Sequence, residues 1–117
     1  LEGYGIYRRN IHVVEVPGSF ELPFGAKQVI EKKQPDAVIC IGSVIKGETS
    51  HFDYVCQGAT YGIQKLNVSG EVPVIFCVLT DDNISQSKDR SGGKHGNKGV
   101  EAAVSAIEMV LMKKDLE

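Results

Sequence analysis

Residues 47–53 (GETSHFD) form the segment best suited to chemistry, directly after an apolar run. Ser50 and Asp53 match the S-x-x-[DE] capping pattern, which predicts a helix opening at His51. The free backbone N–H groups of such a helix suit an anion, and the Thr49 hydroxyl can add a donor. The His51 imidazole can take up and release protons near neutral pH. An ordinary cap with a solvent-facing His51 would explain the same residues.

A second candidate is the glycine-rich basic segment 90–99 (RSGGKHGNKG). Glycine lets the backbone approach an oxyanion, and Arg90 can grip a phosphate with two donors. The segment does not match GxxxxGK[ST], so it does not indicate a nucleoside triphosphatase. The alternative is a surface loop without a ligand.

A third candidate is residues 17–23 (PGSFELP), at a predicted strand-to-helix junction. Exposed amides, the Phe20 ring and the Glu21 carboxylate could together bind a polar heterocycle. The alternative is a turn with Phe20 in the core and Glu21 favouring the helix start.

Metal and disulfide chemistry are not indicated. His12 and His95 have no partner at metal-ligand spacing, and Cys40, Cys56 and Cys77 do not cluster. We therefore expect no metal site, and buried reduced thiols in a cytoplasmic protein.

The composition is that of one globular domain, residues 1–117. Hydrophobic residues make up 42% and the formal net charge is -2. A chain without a basic excess or a long apolar run is expected to bind neither nucleic acid nor a membrane.

Short β-branched runs alternate with amphipathic runs along the chain. The pattern predicts strands over 11–16, 37–45 and 73–79, and helices over 22–33, 51–67, 83–89 and 100–114. This order indicates an α/β layered domain with a parallel sheet, whose strand ends open at one edge. The two later strands are apolar throughout, which predicts burial on both faces. Gly58 and Gly62, spaced i, i+4, predict close backbone packing.

Five segments, in order, closely resemble the 6,7-dimethyl-8-ribityllumazine synthase family: VPGSFELPFGA, IGSVIKGETSHFDYVCQG, VPVIFCVLT, DRSGGKHGNKG and EAAVSAIEMV. The resemblance implies a flavodoxin-like, three-layer αβα sandwich. It also implies condensation of 5-amino-6-(D-ribitylamino)uracil with 3,4-dihydroxy-2-butanone 4-phosphate, releasing phosphate and water. The family uses no metal or organic cofactor.

The resemblance also implies roles for individual residues. His51 would be the proton donor and acceptor, and Arg90 would clamp the phosphate. Lys98 would lie near the substrates, and Phe76 would reach the pyrimidine in a neighbouring subunit's site. Further substrate-binding residues would be Glu48 and Thr49 for the butanone phosphate, and Ser19, Phe20, Glu21, Ser43, Val44 and Ile45 for the pyrimidine and ribityl chain.

Self-association is a further implication. Family members form pentamers with active sites between adjacent subunits, and some assemble into shells of twelve pentamers. The short turn in residues 90–98 favours the sixty-subunit shell, and riboflavin synthase is an expected partner.

The family's first strand and most of its first helix have no counterpart in the sequence, so we expect the chain to be part of a protein of about 150 residues. Two alternatives carry different functions: an archaeal-type riboflavin synthase, which dismutates lumazine, and a non-catalytic flavin-binding or shell-forming homologue.

Overall fold

A computed structural model describes residues 2–45, 51–81 and 98–117. The regular elements are helix α1 (Leu22–Lys33), strand β1 (Val38–Ile45), helix α2 (His51–Ser69), strand β2 (Val74–Asp81) and helix α3 (Lys98–Leu116). Each lies within a few residues of its predicted range. The helix predicted over 83–89 lies outside the described residues.

The two strands form a parallel sheet that separates two helical layers. The register runs from Val38 opposite Val74 to Ile45 opposite Asp81. Successive side chains of a strand point to opposite faces. Cys40 and Val74 pack with α1 and α2 on one face, whereas Ile39 and Cys77 lie beside α3 on the other. The predicted α/β layering is therefore confirmed.

The main core lies between the sheet and the first two helices. Its buried members are Ala26 of α1, Cys40, Ile63 of α2 and Val74, with partly buried aliphatic side chains around them. Removing apolar surface from water stabilises this contact by about 25 cal/mol per Å². The core therefore fixes where α2 begins relative to the end of β1.

The ends of α1 follow the predicted sequence signals. Pro23 lies in the first turn, where its missing N–H costs nothing. Gln34 ends the helix with a left-handed backbone (φ 50°, ψ 55°). Its N–H donates to the Ile30 carbonyl at 3.1 Å.

The predicted strand over 11–16 is wrong. Ile11 has extended dihedrals, but the segment carries no ladder, and in the described residues β1 pairs only with β2. Val13 is 84% exposed. β-branched composition favours an extended backbone, but a strand also needs a hydrogen-bonded neighbour.

Burial on both faces holds for Cys77, Val78 and Leu79 of β2, although Phe76 of that strand is 37% exposed; it is wrong for β1, where Ile41 is 70% exposed. Ile41 borders an apolar cavity of about 280 Å³ between Ile11, the sheet and α3. Ala102 and Ala103 of α3 also line this cavity, and local composition cannot reveal such a gap.

Asn67 near the end of α2 connects this helix to the start of β2. Its Nδ2 donates to the Val74 carbonyl at 2.8 Å, and the Val74 N–H donates to its Oδ1 at 2.7 Å. Nδ2 also approaches the Ile63 carbonyl at 3.3 Å. One amide thus satisfies both backbone groups of a buried residue.

We expect Asn67→Ala to lower the free energy of unfolding by about 2 kcal/mol, because it leaves buried polar groups of Val74 without partners. Urea unfolding measures the loss. Ser69→Ala is the matched control, since it removes an exposed hydrogen bond to Lys65; it should change stability by less than about 0.5 kcal/mol. Equal losses in both variants would contradict the prediction.

The pH dependence of stability tests whether the Cys40 thiol is buried in the core. All three cysteines are free, and Cys40 and Cys77 are buried. Burial raises the pKa of the Cys40 thiol from 9.0 to about 11. As pH rises, the unfolded chain loses this proton first, so stability falls between about pH 9 and pH 11.

We expect this thiol to remove up to about 2 kcal/mol of stability across that window. Cys40→Ala, although less stable at neutral pH, should show a shallower decline, and urea unfolding at several pH values measures both slopes. Parallel slopes in the two proteins would contradict the assignment.

Candidate functional site

A cleft of about 570 Å³ lies where the carboxyl end of β1 meets the start of α2 and the turn before α1. This is the edge of a parallel sheet at which ligands commonly bind. The cleft is lined by Gly18, Ser19, Phe20, Glu21, Ser43, Val44, Ile45, His51, Phe52, Tyr54 and Val55.

A 3₁₀ turn, Ser19–Glu21, presents the first wall of the cleft. The Glu21 N–H donates to the Gly18 carbonyl at 3.1 Å, which closes the turn. Ser19 packs against β1 so closely that a Cβ on Gly42 would lie 2.5 Å from the Ser19 Oγ. This contact holds the turn against the strand whose last residues line the opposite wall.

Phe20 lies at the surface of this wall. Its side chain is 58% exposed, so the alternative that placed it in the core is wrong. An exposed ring beside the half-buried Glu21 offers a flat surface and a hydrogen-bond acceptor to the same ligand.

His51 lies at the start of the described part of α2 (His51–Ser69), in the helix that the capping pattern predicts. It is exposed and borders the cleft together with Ser43 and Tyr54. An imidazole here can exchange protons with a bound molecule and with water. Ser50, the predicted cap, lies outside the described residues.

The structure thus gathers seven of the twelve residues singled out from the sequence. The seven are His51, Ser19, Phe20, Glu21, Ser43, Val44 and Ile45. Glu48, Thr49 and Arg90 lie outside the described residues, so their predicted roles stay predictions.

Phe76 and Lys98 are not among the residues that line the cleft. Phe76 lies on β2 opposite Cys40 and is 37% exposed. Lys98 opens α3, and its Nζ lies 3.5 Å from the Glu101 Oε2. Neither side chain borders the cleft of its own chain.

Four lining residues were not named individually: Gly18 and Phe52, which lie within the candidate segments 17–23 and 47–53, and Tyr54 and Val55, which lie outside them. Tyr54 and Val55 follow His51 at i+3 and i+4, so they share its helix face. That spacing could have identified them once His51 was taken as the first helical residue.

The described residues contain neither a group of metal ligands nor a membrane-spanning helix. No group of three or more His, Cys, Asp or Glu there could hold a metal ion. No helix in the same part of the chain is long and apolar enough to cross a bilayer.

The cleft therefore combines an aromatic surface, three hydroxyls, a carboxylate and an imidazole. Such a set can orient a polar ring by hydrogen bonds and exchange protons with it. The walls of the cleft are open and exposed, so they suit a ligand that a second surface contacts from the open side of the cleft.

Comparisons with known proteins agree with this chemistry. The family model described as 6,7-dimethyl-8-ribityllumazine synthase matches residues 1–114. Proteins of that name from several bacteria are similar to the chain. The Christiangramia forsetii protein is 56% identical over 112 residues, covering 95% of this chain and 67% of the relative.

Two Flavobacterium proteins of the same name give similar values. The F. psychrophilum protein is 57% identical, covering 97% of this chain and 60% of the relative. The F. johnsoniae protein is 62% identical, covering 84% of this chain and 52% of the relative. The chain thus spans between about half and two thirds of the length of these three relatives. Because the family model matches nearly the whole chain, the chain belongs to the 6,7-dimethyl-8-ribityllumazine synthase family.

Proposed function

We propose that the protein containing this chain condenses 5-amino-6-(D-ribitylamino)uracil with 3,4-dihydroxy-2-butanone 4-phosphate. The products are 6,7-dimethyl-8-ribityllumazine, inorganic phosphate and water. The observation that carries the proposal is the cleft, which brings the turn 19–21, the end of β1 and His51 together in a chain of this family.

The pyrimidine and ribityl chain bind the wall formed by the turn and the strand end. The Phe20 ring contacts the flat heterocycle, and the Glu21 carboxylate accepts hydrogen bonds from its N–H or hydroxyl groups. Ser19, Ser43, Val44 and Ile45 complete this half of the site; all of them line the cleft.

The butanone phosphate binds on the side of His51. Glu48 and Thr49 precede that residue in the sequence, and we assign them and Arg90 to the phosphate substrate. Anions are stabilised by the N–H groups at a helix start and by a guanidinium fork.

The reaction proceeds through imine formation, phosphate elimination and ring closure. His51 accepts and donates the protons that these steps move. An amine and a ketone react readily, so we assign most of the acceleration to holding both substrates together. Positioning of this kind can lower a barrier by as much as roughly 7–11 kcal/mol.

The cleft is completed by a neighbouring subunit in a pentamer. Phe20 and Tyr54 are 58% and 66% exposed at its walls, which is costly for apolar surface that stays in water. Phe76 lies away from the cleft of its own chain and reaches the pyrimidine of the neighbour's site, and Lys98 acts close to the substrates. The pentamers assemble into a sixty-subunit shell.

The product is passed to riboflavin synthase, an expected partner. The free cysteines fit a reducing compartment, and we place the protein in the cytoplasm.

The test is product formation from the two purified substrates, followed by lumazine fluorescence in the full-length protein. Fluorescent product and one released phosphate per turnover support the proposal. Riboflavin formed from lumazine alone would instead indicate a riboflavin synthase. Binding of lumazine without turnover would indicate a non-catalytic homologue.

A further inference from the structure

The Phe20 ring contacts helix α2 at a position that has no side chain. It packs against Gly58 of α2, where a Cβ would lie 2.7 Å from the ring Cδ2, still closer to Cε2, and 3.4 Å from Cζ. Carbon atoms of side chains do not approach one another below about 3 Å, so no residue with a side chain could stand at position 58 with the ring in this place.

A methyl group at position 58 would displace the ring rather than the helix. Phe20 is 58% exposed, so its ring has open space into which it can rotate. The backbone of α2 is fixed by the buried Ala59 and Ile63. The contact between Gly58 and Phe20 therefore sets the position of a side chain that lines the cleft. It contributes little to the packing of the core.

Gly62, one turn further along α2, differs in what it contacts. A Cβ there would lie 2.5 Å from Cγ and 2.8 Å from Cβ of Pro23. The ring of a proline within α1 cannot rotate away. The same glycine spacing thus allows helix packing at Gly62 and contact with an exposed cleft side chain at Gly58.

We propose that Gly58 is a positioning residue for the heterocycle: by lacking a side chain, it holds the Phe20 ring at the wall of the cleft where the pyrimidine binds. This inference rests on the proposed function, because it assigns Phe20 to the pyrimidine. It predicts a selective effect on one of the two substrates.

We expect Gly58→Ala to raise KM for 5-amino-6-(D-ribitylamino)uracil about fivefold to tenfold, as loss of an aromatic contact would. KM for 3,4-dihydroxy-2-butanone 4-phosphate should change less than twofold. The melting temperature should not fall, since alanine is the better helix former. Thr60→Ala, an exposed change on the same helix, is the control and should leave both KM values unchanged.

A double-mutant cycle distinguishes an effect of Gly58 that acts through the Phe20 ring from a general disturbance of the fold. Phe20→Leu should raise KM for the pyrimidine, and adding Gly58→Ala to it should bring no further increase. If Gly58→Ala folds poorly, the double variant should still fold as Phe20→Leu does, because no ring then opposes the methyl group.

Additive effects, equal changes in both KM values, or a double variant that fails to fold would overturn the inference. A wild-type protein that forms no lumazine would overturn the proposed function instead. A wild type that turns over normally, beside a Gly58→Ala variant with unchanged KM values, would overturn only the role of Gly58.

Discussion

Arg90→Ala is expected to lower kcat/KM for 3,4-dihydroxy-2-butanone 4-phosphate by about 10³-fold, the largest effect among the variants considered. A guanidinium grips a phosphate with two charge-assisted hydrogen bonds, each contributing about 1.5–3 kcal/mol. Part of the loss should be a higher KM for the phosphate substrate. The rest should be a lower kcat, because phosphate is also the leaving group. Steady-state kinetics with each substrate varied in turn measures both.

Arg90→Lys is the matched control for this prediction. Lysine keeps the charge but not the planar fork, so we expect it to restore part of the activity. KM for the pyrimidine should stay within about twofold in both variants, since the loss falls on the phosphate substrate. An Arg90→Ala enzyme with wild-type kinetics would remove the clamp assignment.

His51→Ala is expected to lower kcat by about 10²-fold without abolishing turnover. General acid–base catalysis typically contributes 10²- to 10⁴-fold, and the proposed condensation, in which an amine and a ketone react readily, is expected at the low end. His51 lines the cleft but is exposed, so its removal should leave the fold intact. Single-turnover measurements isolate the chemical steps from product release.

His51→Gln serves as the control, because the amide can form hydrogen bonds but cannot exchange protons near neutral pH. It should be as slow as the alanine variant. A glutamine variant at wild-type rate would show that His51 positions a substrate instead of moving protons. An alanine variant with no detectable product would mean that proton transfer carries more of the barrier than positioning does.

The helices and strands were largely predictable because their signals are local. Helix α2 contains His51, in keeping with the capping pattern, and α1 ends at Lys33, because proline at position 35 disfavours a helical backbone in the residue before it. The segments around the cleft were predictable for the same reason: each lies at a strand or helix end that the chain itself marks.

The sequence predicted which residues form the candidate site better than it predicted how they are arranged in space. The resemblance to a family named twelve residues, and the structure brings seven of the nine described ones to one cleft. Tyr54 was missed because an exposed tyrosine carries no chemical signal until the helix face of His51 is known.

Long-range contacts account for what sequence reasoning got wrong or did not reach. Residues 11–16 have strand composition but no ladder, and Ile41 is exposed in an apolar strand. Both outcomes depend on which partner lies alongside, and no local pattern contains that information. The spacing of the glycines in α2 predicted close packing, yet only the folded chain distinguishes Gly58, which contacts an exposed phenylalanine ring, from Gly62, which contacts a proline ring within α1. Composition and spacing encode the conformation of each segment, whereas the neighbours that give a segment its function come from packing across distant parts of the chain.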